Sequence, residues 1–273
     1  FVPLDEAVYR LTVSDAITDT AGNSLDGDND TTAGGIFRRD TVVTTVESQT
    51  PLTLLPSIRL GQEGSQFGTS VAIDGELRVV GAPFADVGAL SEVGVVYVFN
   101  ATTNALVAML ANPTPASGDY FGISVAVSGN TVVVGAYNDQ SGASNGGAAY
   151  VFNATTGALV ATLTSPTPAI GDFFGYSVAV SGNTVVVGDY LDGTGATESG
   201  SAYVFNATTG ALLATLANPT PAIGDRFGLS VAVSGNRVVV GAANDDAGAS
   251  DSGRAYVFNA TTGALVATLA NPT

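Results

Sequence analysis

The chain contains no cysteine, no histidine and no lysine among its 273 residues. Without cysteine it has no disulfide framework, no thiol nucleophile and no thiolate metal ligand. Without histidine as well, Ser-His and Cys-His catalytic pairs are excluded. Most side chains that serve as general bases or nucleophiles are therefore missing, and the sequence predicts a protein that is not an enzyme.

Long hydrophobic runs are also missing. The longest apolar candidate, residues 131–136, has the length of a strand, whereas a membrane-spanning helix needs about 20 apolar residues. We therefore expect no insertion into a membrane.

Positive charge is scarce too. Eight arginines stand against 24 acidic residues, which gives a net charge of −16. Such a charge repels nucleic acid, so we expect no nucleic-acid partner. It favours cations and basic surfaces, although the acidic surface of a secreted protein gives the same balance without any such partner.

What the chain has instead is a repeat. Phe-Gly pairs recur at a spacing of 53 or 54 residues, and each is followed by a Val-rich segment, a Tyr-Val-Phe stretch and a Pro-Thr tail. A fixed period of this length predicts supersecondary units that must stack, because one unit alone cannot bury its faces. The predicted repeats are 67–117, 118–170, 171–223 and 224–273.

Each repeat predicts four short strands. In the second copy these are 121–127, 131–135, 148–152 and 158–163. The second and third strands are apolar at successive positions, so both faces of the sheet must be covered. We therefore predict an all-β fold, a β-propeller of four-stranded blades, with a linear β-solenoid as the alternative.

The N-terminal part of the chain lies outside this repeat. This part resembles the C-terminal half of a bacterial Ig-like domain through the segment Thr18-Asp-Thr-Ala-Gly-Asn-Ser-Leu-Asp-Gly-Asp28. Residues 1–46 are therefore predicted to be a partial Ig-like β segment. Residues 47–66 are predicted to be a linker with an extra strand at 51–56. Since two strands form no independent core, the missing strands would lie upstream or come from another chain. The chain starts at Phe1 without Met and stops at Thr273 in the middle of the recurring Asn-Pro-Thr-Pro-Ala segment, so we expect an excerpt from a longer protein, with a removed signal peptide as the alternative.

The repeats themselves resemble the FG-GAP repeat of integrin α-chain propellers and their bacterial relatives. The motifs are Phe67-Gly68, Val80-Gly-Ala-Pro83 and Gly94-Val-Val-Tyr-Val-Phe99, and the later copies keep Phe-Gly and Tyr-Val-Phe. The resemblance implies a seven-bladed, non-enzymatic, extracellular propeller used for adhesion or display. Many relatives carry an Asp-x-Asp-x-Asp calcium loop, but the turns here, such as Ser128-Gly-Asn130, are poor in carboxylates, so calcium is not expected in the blades.

One predicted rim of the propeller is acidic. The loops before each Phe-Gly pair and those after each second strand share this rim, which faces the ligand in the integrin relatives. Its carboxylates would present charge to a cation or a basic partner, or would serve turn chemistry alone. The residues are Asp119, Asp139, Asp172, Asp192, Asp225, Asp245 and Asp246.

Two further sets of residues are candidate sites. Formal N-glycosylation sequons, which also suit tight hairpins, occur at Asn100, Asn153, Asn206 and Asn259. Alternate carboxylates at Asp26, Asp28 and Asp30 have the spacing that begins a calcium loop. Because the twelfth position is Phe37 and not glutamate, the EF-hand is excluded, which leaves a looser interdomain calcium site or a solvated acidic turn.

Three functions fit these observations. The first is an extracellular adhesion or structural module of a large secreted or cell-surface protein, contacting another protein or a polysaccharide. The second is a subunit of an extracellular filament or sheath, in which 1–46 and 51–56 pair with neighbouring copies by β-strand addition. The third is a carbohydrate-binding propeller in which Tyr137 and Tyr190 stack on sugars, although Ala243 stands at the corresponding position of the fourth repeat.

Overall fold

The computed structural model describes residues 63–141, 143–246 and 250–272, all within the unit Leu54–Thr273, the second of the chain's two units. The predicted Ig-like segment, its calcium-loop residues Asp26, Asp28 and Asp30, and the predicted strand 51–56 lie outside the described residues. None of the described residues belongs to a helix that could cross a bilayer.

The described residues form four antiparallel sheets of four strands, one from each repeat. Sheet 1 contains β1 (Ser70–Asp74), β2 (Leu77–Ala82), β3 (Val95–Asn100) and β4 (Leu106–Ala111). Sheet 2 contains β5 (Ser124–Ser128), β6 (Thr131–Ala136), β7 (Ala148–Asn153) and β8 (Leu159–Leu163). Sheet 3 contains β9 (Ser177–Ser181), β10 (Thr184–Asp189), β11 (Ser201–Asn206) and β12 (Leu212–Ala217). Sheet 4 contains β13 (Phe227–Ser234), β14 (Arg237–Ala242), β15 (Arg254–Asn259) and β16 (Leu265–Ala270).

Within each sheet the strands follow one another in chain order, as in a meander. In sheet 2, Val133 pairs with Ala126 on one side and Val151 on the other. A register shift between Val151 and Phe152 marks a bulge opposite β8. The prediction of an all-β, propeller-like fold with four-stranded blades is confirmed.

Neighbouring sheets stack on each other, and their first strands lie side by side. Val132 and Val133 are both fully buried, although a strand points successive side chains to opposite faces. Val132 packs in a core shared with sheet 1, and Val133 packs in a core shared with sheet 3. The prediction that both faces of each sheet are covered is therefore confirmed for sheets 2 and 3. It does not hold for the outer faces of sheets 1 and 4, where Phe67 and Leu269 are exposed.

The same inter-sheet joint occurs three times. The phenylalanine that opens each later repeat is fully buried, as seen at Phe121, Phe174 and Phe227. Its backbone N–H donates to a loop carbonyl of the preceding sheet, for example from Phe121 to Val93 at 2.9 Å. A serine in the first strand of the preceding sheet donates to the carbonyl of the glycine that follows the phenylalanine. The three serine–glycine pairs are Ser70–Gly122, Ser124–Gly175 and Ser177–Gly228.

Within the described residues, no further sheet covers either outer face of this stack, and we call these two faces open. Phe67 of sheet 1 is 56% exposed, whereas its counterparts Phe121, Phe174 and Phe227 are fully buried. At the other end, Leu269 of sheet 4 is 50% exposed, although the corresponding leucines of sheets 1 to 3 are at most 1% exposed. Sheets 1 and 4 therefore do not cover each other as neighbouring sheets of the stack do.

Candidate binding rim

The residue before each Phe-Gly pair adopts the left-handed backbone region although it is not glycine. The φ angles are 50° at Gln66, 56° at Tyr120, 63° at Phe173 and 57° at Arg226. A side chain in this region costs roughly 1–2 kcal/mol, because its Cβ approaches the following carbonyl. The four residues differ in type, so the strained position carries a different side chain in every sheet.

Aromatic rings from this position join rings from the loops that follow the second strands and the ring of Tyr176, which directly precedes β9. They form an aromatic strip across sheets 1, 2 and 3. Its members are Phe84, Tyr120, Tyr137, Phe173, Tyr176 and Tyr190. Successive ring centroids lie 5.1 Å apart for Phe84–Tyr120, 5.4 Å for Tyr120–Tyr137, 5.5 Å for Tyr137–Tyr176 and 4.7 Å for Tyr176–Tyr190.

The strip is partly exposed and carries hydroxyl groups. Tyr176 is 37% exposed, and the other five rings are half-buried. Burial, followed by the neighbouring tyrosines, raises the pKa of Tyr137, so its phenol stays neutral. The Tyr120 hydroxyl donates to Glu92 Oε2 at 3.2 Å. Flat apolar rings with polar tips are suited to stack on another flat surface and to donate hydrogen bonds at its edge.

The sequence identified only part of this strip. Tyr137 and Tyr190 were candidates, and both lie in it, while the exposed Ala243 leaves the equivalent position of sheet 4 without a ring. The other four rings were missed because the repeats differ at those positions. The detectable signal was an aromatic residue immediately before Phe-Gly, as at Tyr120 and Phe173.

The acidic rim residues do not form the exposed surface that a ligand would contact. Six of the seven are buried, with exposed fractions of 1–4%: Asp119, Asp139, Asp172, Asp192, Asp225 and Asp245. Asp246 alone of the seven is exposed. A basic partner at this surface would therefore reach Asp246 and not the other six carboxylates.

Three of the buried carboxylates are bound by a buried tyrosine eleven residues later. The Tyr150 hydroxyl donates to Asp139 Oδ2 at 2.6 Å, and the Asp139 Oδ1 atom accepts from the backbone of Ser141 at 2.8 Å. Tyr203 and Asp192 repeat this contact at 2.7 Å, and Tyr256 and Asp245 repeat it at 2.5 Å. Burial raises the pKa of all three tyrosines, so each phenol remains the donor.

The other three buried carboxylates close the loop that enters the next sheet. Asp119 Oδ2 accepts from Asn112 Nδ2 at 2.7 Å and from the Ala116 backbone at 2.6 Å. Asp172 and Asp225 accept the equivalent backbone bonds at 2.6 and 2.7 Å. Burial raises the pKa of Asp119 to about 6, against the lowering effect of these bonds. These carboxylates are bound to the loops that contain them, which is the turn chemistry considered above.

Asp189 is a buried acid that the sequence did not single out. It is fully buried in β10, where the other sheets place Ala82, Ala136 and Ala242. Within the described part of the chain neither of its oxygens has a hydrogen-bond partner. Burial, followed by the neighbouring carboxylates Asp192 and Asp172, raises its pKa to about 8. Across residues 63–141, 143–246 and 250–272, no three acidic side chains converge closely enough to hold a metal ion.

The sequon asparagines hold the turns between the third and fourth strands. Asn153 Oδ1 accepts from the backbone of Thr155 at 3.1 Å and of Thr156 at 2.9 Å. Asn100, Asn206 and Asn259 make the same pair of bonds. These asparagines therefore have a structural role in the turn, and their glycosylation stays a prediction.

Comparison with known proteins agrees with the repeat structure. A family model described as FG-GAP repeat matches residues 61–99, 106–152, 158–205 and 214–258, which is more than half of the chain. Among solved structures, the computationally designed Ika4 protein is similar at 20% identity, over 74% of this chain and 96% of that chain, with a TM-score of 0.47. No curated protein sequence matches the chain. The buried Phe-Gly pairs, the four-stranded sheets and the family match lead to one conclusion: this chain belongs to the FG-GAP repeat family.

Proposed function

We propose that this chain is a non-enzymatic, extracellular adhesion or structural module of a secreted or cell-surface protein, and that the aromatic strip is its contact surface. The partner is another protein or a polysaccharide at the cell surface. The observation that carries the proposal is the row of six rings that crosses three sheets at one rim.

The strip has the properties of a binding surface. Six neighbouring, partly exposed rings form one continuous aromatic surface, whereas apolar side chains on a protein surface are usually scattered singly. Tyr120 and Phe173 reach the strip from a strained backbone position, and strain of this kind persists where the surrounding structure enforces it and where it serves a function. The rings are held by each other and by the sheets, so little order is lost on binding.

Carbohydrate binding is the second candidate function, and one contact favours it. Tyr176 and Tyr190 have centroids 4.7 Å apart and an interplanar angle of 56°, so together they form a shallow aromatic corner. A pyranose ring presents C–H groups on one face that pack on such rings, while the phenol hydroxyls donate to its oxygens.

The test is binding of the full chain to immobilised cellulose, chitin and β-1,3-glucan, and to immobilised collagen and fibrinogen. We expect binding to at least one of these surfaces and its loss in the double variant Tyr137→Ala/Tyr190→Ala. Binding to a polysaccharide alone would favour the second function.

The matched control is Ile170→Ala/Ile223→Ala, which removes two apolar side chains that are 81% and 80% exposed in the loops before sheets 3 and 4. We expect this variant to bind as the parent does. Equal loss in the two double variants, or no binding to any of the five surfaces, would contradict the proposal. Antibody labelling of intact cells that produce the protein tests the extracellular location.

A further inference from the structure

We propose that the open face of sheet 4 is a docking site for sheet 1 of a second copy of this chain, joined by the contacts that already connect sheets 1 to 4 within one copy. This inference does not depend on the aromatic strip, because it uses none of the six residues of the strip. It rests on two outer faces that have the chemistry of the inner joints without the neighbouring sheet.

The face of sheet 4 has the serine donor and the glycine space that the inner joints use. Ser230 occupies the position of Ser70, Ser124 and Ser177, and it is exposed where those three donate to a glycine carbonyl of the next sheet. A methyl group added at Gly188 would lie 2.0 Å from the carbonyl oxygen of Gly228. At Gly241, the equivalent glycine of sheet 4, the three atoms nearest to the added methyl all belong to Ser230 of its own sheet.

The face of sheet 1 has the complementary group. Gly68 has a φ of 96°, close to the values of 92°, 89° and 92° at the three glycines that are already docked. Phe67 beside it is exposed, as are Val71 at 70% and Ile73 at 68%. The Phe-Gly segment of sheet 1 is therefore already in its docked conformation, while a Cβ built on Gly68 meets no atom within 4 Å.

One residue of sheet 1 departs from the inner pattern. Arg78 stands where the later sheets have the fully buried Val132, Val185 and Val238. Its guanidinium donates to Asn104 Oδ1 at 2.5 Å at the edge of the sheet. Because a charge at this position must keep its edge contact when the face is covered, the joint between copies is weaker than the joints within one copy.

The occupant of each open face is a second copy because both halves of the joint belong to the same chain. A contact between different patches of identical chains is heterologous, and it closes into a ring or continues as a row. Two copies bring eight sheets together, which is within the range of known propellers. The net charge of −16 on each copy opposes association, so salt should strengthen it.

The first experiment compares two leucines of β16 in the full chain by sedimentation velocity over a range of protein and salt concentrations. Leu269 is 50% exposed and its counterparts in sheets 1 to 3 are buried, whereas Leu265 is 46% exposed and its counterparts are exposed as well. We expect the parent and Leu265→Glu to form dimers or longer assemblies at high salt. Leu269→Glu should need at least tenfold more protein for the same degree of association.

The same measurement contains the results that would overturn the proposal. A parent chain that stays monomeric at high salt and high concentration would do so, as would equal association of Leu269→Glu and Leu265→Glu. The second result would also reveal association through another part of the chain. Arg78→Val restores the side chain of the inner joints, and we expect it to strengthen association by a similar factor.

The second experiment uses the absence of cysteine from the chain. At the inner joints a Cβ at Gly157, Gly210 or Gly263 would lie 3.7, 3.2 or 3.3 Å from the Cβ of an alanine in the preceding sheet. These separations are near those of disulfides, which are about 3.5–4.5 Å. The equivalent pair between copies is Asn104 and Ala267.

In the variant Asn104→Cys/Ala267→Cys, oxidation should give a disulfide between copies, seen as a doubled mass or a covalent ladder on a non-reducing gel. The pair Asn104→Cys/Leu265→Cys is the control and should cross-link much more slowly. A disulfide within one chain would show that the four sheets close on themselves. That result, or equal cross-linking of the two pairs, would overturn the proposal.

Discussion

The hydroxyl of Ser177 in the first strand of sheet 3 donates a 2.7 Å hydrogen bond to the carbonyl oxygen of Gly228 at the start of sheet 4. Ser70 and Ser124 make the same bond to the following sheets at 2.6 and 2.9 Å. Beside each serine a glycine leaves room for the incoming carbonyl. This arrangement brings the backbones of two sheets into contact without leaving the carbonyl unbonded, because the serine replaces the water that the joint excludes.

Gly188→Ala should strongly destabilise the fold. The added methyl would lie 2.0 Å from the carbonyl oxygen of Gly228, which belongs to backbone and cannot rotate away. We expect the free energy of unfolding to fall by about 3 kcal/mol, the upper end of the usual range for overpacking, because the clash is with backbone. Urea unfolding of the full chain measures the change.

The control for this substitution is Gly241→Ala in sheet 4. There the nearest atom is the side chain of Ser230, which can change rotamer, and none of the three nearest atoms belongs to another sheet. We expect a loss of about 1 kcal/mol or less in dilute protein. Similar losses for the two substitutions would contradict the assignment of the joint.

Asp189→Ala should stabilise the protein at neutral and alkaline pH. Asp189 has a pKa raised from 3.8 to about 8 by burial and by the carboxylates of Asp192 and Asp172. The unfolded chain releases the proton of Asp189 near pH 4, whereas the folded chain holds it up to about pH 8. Stability falls as the pH rises through this window, by about 1.4 kcal/mol per unit at most, and the loss is complete above it.

Removing the acid should reduce this slope, most clearly above about pH 6, where the raised pKa of Asp119 contributes little. Alanine occupies the same position in the other three sheets, so we expect Asp189→Ala to raise the free energy of unfolding at pH 8 by about 2 kcal/mol or more. The measurement is denaturant unfolding at pH 5, 7 and 8.5. The control Glu63→Gln removes an exposed carboxylate and should leave the slope unchanged, whereas an unchanged slope in Asp189→Ala would refute a buried proton at this residue.

Tyr203→Phe should destabilise sheet 3. The hydroxyl of Tyr203 donates to Asp192 Oδ2 at 2.7 Å, and both residues are about 2% exposed. Removing a buried donor from a carboxylate costs about 1–3 kcal/mol. The control is Tyr176→Phe, which removes a hydroxyl from a more exposed ring and should change stability by less than about 0.5 kcal/mol. Thermal or urea unfolding distinguishes them, and equal effects would show that the Tyr203–Asp192 bond contributes little.

Calcium should bind the N-terminal acidic loop and not the sheets. The prediction concerns Asp26, Asp28 and Asp30, whose spacing supplies alternate carboxylate ligands. Titration calorimetry of the full chain should show calcium binding that is lost in Asp26→Asn/Asp28→Asn. The control Asp246→Asn alters an exposed acid of sheet 4 and should retain it. Unaltered binding in the double variant would place any calcium elsewhere.

Much of the fold was predictable because the pattern is local and repeated. Successive apolar residues at 131–135 predicted a strand covered on both faces, and the structure places β6 at Thr131–Ala136 in that environment. The first strand was predicted from residue 121, but β5 begins at Ser124. Phe121 instead bonds the loop of the preceding sheet, and Gly122 has a φ of 92°, so the backbone turns before the strand begins.

The candidate site was less predictable because it depends on contacts between repeats. Asp139 was a candidate acid of the ligand-facing rim, yet it is buried and accepts hydrogen bonds from Tyr150 and from Thr114, which lies 25 residues before it. The recurring separation of eleven residues between aspartate and tyrosine was present in the sequence as a signal. The aromatic strip had a weaker signal, since its rings come from positions where the repeats differ.

The most direct test of the stacked-sheet account compares two phenylalanines at the same position of two repeats. Phe174 is fully buried in its joint, and Phe67 is 56% exposed on the open face of sheet 1. At protein concentrations low enough to keep the chain monomeric, Phe174→Ala should lower the free energy of unfolding by about 3–5 kcal/mol. Phe67→Ala should lower it by about 1 kcal/mol or less. Equal losses would contradict the account.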